Sequence, residues 1–134
     1  MSLSDEERST LVRLEIEKSK NTFSEVEALV NAGMWSGAAN RLYYAVCHAV
    51  CALLVHDRHQ ANTHQGSHAL FGLHYIKTGI LPVEYGQLYG QLQTMRENSD
   101  YNCIYDVKPD ELQERIEPSR QMIRTIETLI YSQQ

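Results

Sequence analysis

The chain has 134 residues, 43% of them apolar and 22% charged, a composition that suits one folded domain over residues 1–134 and excludes a charge-rich disordered segment. Twelve basic side chains against seventeen acidic ones leave a net charge of −5, which excludes broad, non-specific DNA binding through a global positive field. Three cysteines with no C-x-x-C pair argue for reduced thiols, and neither the start MSLSDEER nor the longest apolar run, Ala49 to Val55, fits a signal peptide or a bilayer span, so a cytoplasmic protein without a membrane role is expected.

Ser4 followed three residues later by Glu7 is a capping box, with Asp5 and Glu6 suiting the positive end of a first helix. That helix is expected to run to about Ala32, with Val12, Ile16, Ser19, Phe23, Val26 and Val30 on its inner side and Gly33 as its stop. A second helix, from about Trp35 to Val55, is apolar or small nearly all round and reads as central and buried, ending in the polar stretch Asp57 to Gln60. Thr63 suits the cap of a third helix reaching Lys77 and closed by Gly79, with Leu70, Leu73 and Ile76 facing inwards.

Pro82 suits the first turn of a fourth helix, where Tyr85, Leu88, Leu92 and Met95 repeat at three and four and Arg96 lies near the end. Pro109, Asp110 and Glu111 open a fifth, with the stripe Leu112, Ile116, Ser119, Ile123, Ile126, Ile130 and an expected kink at Pro118. No segment alternates like a half-buried strand, so the fold expected is all-α: an up-and-down antiparallel bundle of about five helices.

Several groups carry candidate chemistry. Cys47 and Cys51 lie one helical turn apart and would present two thiolates to a soft metal, but their Ala, Val and Leu neighbours favour small hydrophobes. His64 with His68, and His56 with His59, have loosely zinc-like spacing without an H-E-x-x-H carboxylate, which favours solvated or capping histidines. No metal and no cofactor is implied, and the common phosphate-loop, dinucleotide and hydrolase motifs are absent.

Arg96 and Asp100 share a helix face, with Tyr101 next in the chain. On the residues alone they make an ordinary ion pair worth about 0.3–0.5 kcal/mol. The functional alternative makes Arg96 a fork for a phosphate, Asp100 its orienting partner and Tyr101 a hydroxyl or stacking face. Tyr43 and Tyr44 point about 100° apart on a helix, so one packs and the other is free to bond across a seam; Asn40, on the same apolar helix, also needs a partner.

The run from Ala38 to Val50, then Thr63-His64-Gln65-Gly66, then Arg96 to Tyr101, resembles the HEPN (higher eukaryotes and prokaryotes nucleotide-binding) domain family over nearly the whole chain. The resemblance implies an antiparallel helical bundle, a homodimer, and pairing with a minimal nucleotidyltransferase as toxin and antitoxin. Some members are metal-independent ribonucleases that carry Arg, four to six residues, then His near the end of the helix corresponding to the fourth here, with His as general acid or base and Arg stabilising phosphoryl charge. Here Tyr101, Asn102 and Cys103 stand where that His would fall, and no histidine follows His74. Tyrosine, with a reference pKa of about 10, is a poor base at neutral pH.

The preferred expectation is thus a dimeric module binding a nucleotide, RNA phosphate or partner peptide at Arg96, Asp100 and Tyr101, with Asn40, Tyr44 and His64 as further site residues and no catalytic residue assigned. The rivals are a ribonuclease toxin using Arg96 with His64 or Tyr101 as an unconventional base, and an assembly protein whose dimer face is its purpose.

Overall fold

A computed structural model of the chain describes residues 3–59 and 62–132; Gln60, in the polar stretch expected after the second helix, and Met1 and Ser2, in the start read for a leader, lie outside them. Among the described residues there are five α-helices, α1 (Asp5–Asn31), α2 (Trp35–His56), α3 (His64–Phe71), α4 (Val83–Tyr101) and α5 (Pro109–Ser132), with a π-helical segment Gly72–Ile76 continuing α3, and no strands.

The capping box at Ser4 forms in full: Glu7 N donates to Ser4 Oγ at 3.1 Å, and Ser4 N donates to Glu7 Oε1 at 2.8 Å. The Ser4 N–H holds the Glu7 carboxyl below the usual carboxylate range. Gly33 closes α1 with φ +73° and Gly79 ends the segment after α3 with φ +80°, left-handed backbone that a side chain would strain.

Polar contacts give the helix directions. Between α1 and α2, Asp5 pairs with Arg58, Arg8 Nη1 donates to Val55 O, Glu15 meets His48, Ser19 Oγ donates to Ala45 O and Glu25 meets Arg41, so the partner numbers fall as the first numbers rise. That register is antiparallel, as a three-residue turn requires. The same order reversal links α1 to α5, through Lys20–Glu127 and Glu27–Arg120, and α4 to α5, through Tyr85–Thr125 and Gln91–Arg115.

α2 is the hub, packed against α1, α3, α4 and α5. It is long and apolar enough to cross a bilayer by itself, yet most of it is buried inside the bundle, where burying apolar area on every side stabilises a core helix. The expected stripes of α1 and α5 are buried, apart from a half-buried Val30. α5 runs on through Pro118, which sits on its exposed side.

The third helix corrects an expectation. Leu73 is half exposed, whereas Leu70 and Ile76 are partly buried and pack against the core as expected; the fully buried residues are Ser67, Phe71 and Tyr75, spaced at four. The bond from Lys77 N to Gly72 O, five residues back, marks the widened turn that rotates this part of the chain away from a simple 3.6 period.

Candidate functional site

α4 turns Leu88, Tyr89, Leu92 and Met95 towards the core, and Arg96 follows on that side in the last turn, so the helix that buries the leucines also draws the guanidinium inwards. Arg96 is 7% exposed. Its Cζ lies 5.0 Å from the ring centre of Tyr43, 5.7 Å from that of Tyr44 and 5.9 Å from that of Tyr101. Three aromatic faces at these distances replace part of the lost hydration by attraction to their π electrons.

The adjacent tyrosines divide as a helix dictates. Tyr43 is fully buried and stacks on Tyr89 at 6.0 Å, while Tyr44 is half-buried and meets Tyr43 edge-on at 5.0 Å. Burial pushes both the Tyr43 and Tyr89 phenols up, so they stay neutral.

The carboxylates near Arg96 stand off from it: Asp100 Oδ2 is 3.5 Å from Nη1 and Glu97 Oε1 is 3.9 Å from Nη2, longer than a good hydrogen bond. The buried Nε has no partner at all. Asp100 is held from the other side by Asn40, whose Nδ2 donates to Oδ2 at 3.2 Å, and Asn40 Oδ1 accepts from Arg41 Nε and Nη2 at 3.0 and 2.6 Å. This chain of bonds ties α2 to the end of α4 and explains the amide on an otherwise apolar helix. Burial disfavours the Arg96 charge, but the tyrosine oxygens and Asp100 outweigh it and hold the guanidinium above its ordinary value.

The outer edge of this cluster opens into a shallow cleft of about 650 Å³ lined by Tyr44, His64, Arg96, Glu97, Asn98, Tyr101 and Asn102. His64 is the first residue of α3, set there by the Thr63 cap, whose Oγ1 accepts from Gly66 N at 2.9 Å. Its ring stands edge-on to Tyr44 at 5.7 Å, and its Nδ1 lies 3.4 Å from Cys47 Sγ. A neighbouring hollow of about 670 Å³, lined by Gln87, Gln91, Gln93 and Arg115 among others, offers no such free cation, since Arg115 is bonded to Glu111 O and Gln91 and paired with Glu114.

Of the six residues expected at the site, Arg96, Tyr44, His64 and Tyr101 line the cleft, and Asn40 holds Asp100, whose carboxylate stands 3.5 Å from the guanidinium. Tyr101 is 79% exposed. Sequence reasoning missed Tyr89 as part of the aromatic floor and Cys47 as the neighbour of His64. The leucine period of α4 would have placed Tyr89 inwards, whereas the Cys47–His64 contact joins residues on two helices and leaves no signal in local spacing. Among the described residues no group of three or more His, Cys, Asp or Glu side chains is arranged to hold a metal.

Comparison with known proteins gives concordant matches. Residues 12–129 fit the family model described as the HEPN domain. A Methanocaldococcus jannaschii protein named "Putative toxin MJ0142" is 29% identical over 96 residues, covering 72% of this chain and 65% of that protein. A Thermotoga maritima UPF0332 protein is 24% identical over 124 residues, covering 92% of this chain and 94% of that one. A second M. jannaschii protein, "Putative toxin MJ0605", is 28% identical over 86 residues, 64% of each chain. The chain thus spans just under two thirds of the length of the two M. jannaschii relatives.

Proposed function

Because the chain belongs to the HEPN domain family, we propose that it is a nucleotide- or RNA-phosphate-binding module that takes its ligand at the Arg96 cleft. The observation that carries this reading is a cation almost wholly out of water whose Nε is unpaired and whose carboxylate neighbours stand beyond good bonding distance. The tyrosine oxygens and Asp100 favour this charge without giving its donors short hydrogen bonds, and a phosphate oxygen arriving in the cleft supplies the charge-assisted bonds they lack. Tyr101, exposed at the rim, offers a face on which a base stacks.

The module acts as a homodimer in the cytoplasm, paired with a minimal nucleotidyltransferase in a toxin–antitoxin system. Two relatives named as toxins and the family membership support this setting. Sequencing the genes on either side and co-expressing the chain with a minimal nucleotidyltransferase encoded there tests it, the expected result being a complex that survives purification.

Binding is tested by fluorescence anisotropy of a labelled short single-stranded RNA and by displacement with a nucleoside monophosphate. Tyr101→Ala is expected to weaken RNA binding about tenfold, the loss of roughly one stacked base, without altering the unfolding midpoint. A folded chain that binds neither RNA nor nucleotide overturns the reading.

A second reading draws on one observation: His64 lies on the same cleft as Arg96. In that case the chain is a metal-independent ribonuclease, with His64 as base and Arg96 stabilising the phosphoryl charge. Degradation of a mixed RNA pool in the presence of chelator, lost in His64→Ala, is the result that selects it.

A further inference from the structure

Arg96 shares the ring of Tyr44 with a second cation. The Arg41 Cζ lies 5.3 Å from the centre of that ring, against 5.7 Å for Arg96, so the two guanidinium carbons are no further apart than the sum of those distances. Arg41 stands three residues before Tyr44 on α2, a spacing that sets both side chains on one face of the helix. Its side chain is 33% exposed, and a phosphate bound at Arg96 alone leaves it without a role.

Asn40 holds both cations in one frame. Its Oδ1 accepts from Arg41 Nε at 3.0 Å and Nη2 at 2.6 Å, which fixes the plane of the Arg41 fork. Its Nδ2 donates to Asp100 Oδ2 at 3.2 Å, and the same oxygen faces Arg96 Nη1 at 3.5 Å. The line Arg41, Asn40, Asp100, Arg96 thus crosses from α2 to the last turn of α4. The bonds to Asn40 use one edge of the Arg41 fork and leave Nη1, where Glu25 Oε2 stands 3.8 Å away, beyond a good hydrogen bond. Arg41 therefore resembles Arg96 in one respect: each keeps a donor group whose carboxylate neighbour is at a distance.

The Asp100 carboxylate bears on how many anions such a pair takes. It stands between the two guanidiniums in the chain of bonds, so a single phosphate clamped between them would meet a like charge at close range. Two separate anions, one on the free side of each fork, avoid it.

We propose that Arg41 is a second phosphate-binding residue, and that the site takes two phosphoryl groups joined through one ribose, one on Arg96 and the other on Arg41, as an internal nucleotide of a single RNA strand presents them. The assignment rests on the anion site proposed at Arg96 and deepens it from one phosphate to a pair at a spacing that Asn40 sets. A mononucleotide fills half of such a site.

Displacement of labelled RNA by adenosine 3′,5′-bisphosphate and by the 5′-monophosphate tests the proposal. The bisphosphate is expected to bind about tenfold more tightly, the gain of one charge-assisted contact. Arg41→Met is expected to erase that advantage while leaving the monophosphate unchanged, and Arg96→Met to weaken both ligands. Equal binding of the two ligands by the unmodified chain overturns the second subsite, as does an Arg41→Met variant that weakens both ligands alike; in either case a loss of binding in Arg96→Met leaves the anion site itself standing. A folded chain that binds neither ligand overturns the anion site and the second subsite together. If Arg41→Met does not fold, the salt dependence of short single-stranded RNA binding to the unmodified chain decides: two contacted phosphates give a slope of log K against log salt of about −1.4, and a slope of about −0.7 or shallower overturns the proposal.

Discussion

Replacing Arg96 with methionine is expected to cut RNA and nucleotide binding by between ten- and a hundredfold while leaving the fold as stable as before, or slightly more so. The two halves of that result come from one geometry. A phosphate bound to the guanidinium gains charge-assisted hydrogen bonds worth about 1.5–3 kcal/mol, and methionine returns none of them. In the unliganded chain, however, the same guanidinium sits under Tyr43, Tyr44 and Tyr101 with an unpaired Nε and carboxylates at 3.5 and 3.9 Å. Asp100 and the tyrosine oxygens favour the charge but tie it into the fold by no short hydrogen bond, and a flexible apolar side chain of similar length keeps the aromatic contacts, so little stability is lost. Arg96→Ala should lose binding equally but also leave a void beneath Tyr43. Anisotropy titration and urea unfolding of both variants give the comparison. If Arg96→Met unfolds easily and the little that folds binds RNA normally, the arginine is a structural element and the cleft has no function.

The second large effect lies away from the cleft. Leu42→Ala is expected to destabilise the chain by about 3 kcal/mol, a large fraction of the stability of a small domain. Leu42 is fully buried on α2, the helix that packs against α1, α3, α4 and α5 at once. With neighbours on all sides the space cannot close by letting one helix sink inwards, so the cavity cost is added to the lost burial. Chemical denaturation monitored by circular dichroism measures it, and a loss below about 1 kcal/mol would mean that the α2 core is loose enough to repack.

Much of this architecture is legible in the sequence, for reasons that differ along the chain. The α1 and α5 stripes follow a strict three-and-four period, and Ser4, Gly33, Thr63, Gly79 and Pro109 mark ends by chemistry that acts over one turn. Leu73 departs from its expected face because a period of 3.6 does not carry through Gly72, where the chain widens to a π turn and presents Phe71 and Tyr75 instead. The site was readable as a set of residue types and unreadable as an arrangement. Arg96 and Asp100 do face the same way, as their spacing says, but the burial of Arg96 depends on Tyr43 and Tyr44 from another helix. The bond from Asn40 to Asp100 and the contact of Cys47 with His64 cross between helices, so no local rule anticipates them.

The acid rim of the cleft has a kinetic consequence. A polyanion approaching this chain meets a repulsive field set by a net charge of −5 and, nearer in, by Glu97 and Asp100; attraction begins only when an oxygen reaches the recessed guanidinium. Ordinary nucleic-acid proteins draw their ligands in from a distance and lose speed as salt is added. If the cleft takes an RNA phosphate as proposed, moderate salt is expected to lower the barrier to encounter and hasten arrival, even as it weakens the final contact, and thin, single-stranded ends are expected to enter where the densely charged body of a duplex is turned away.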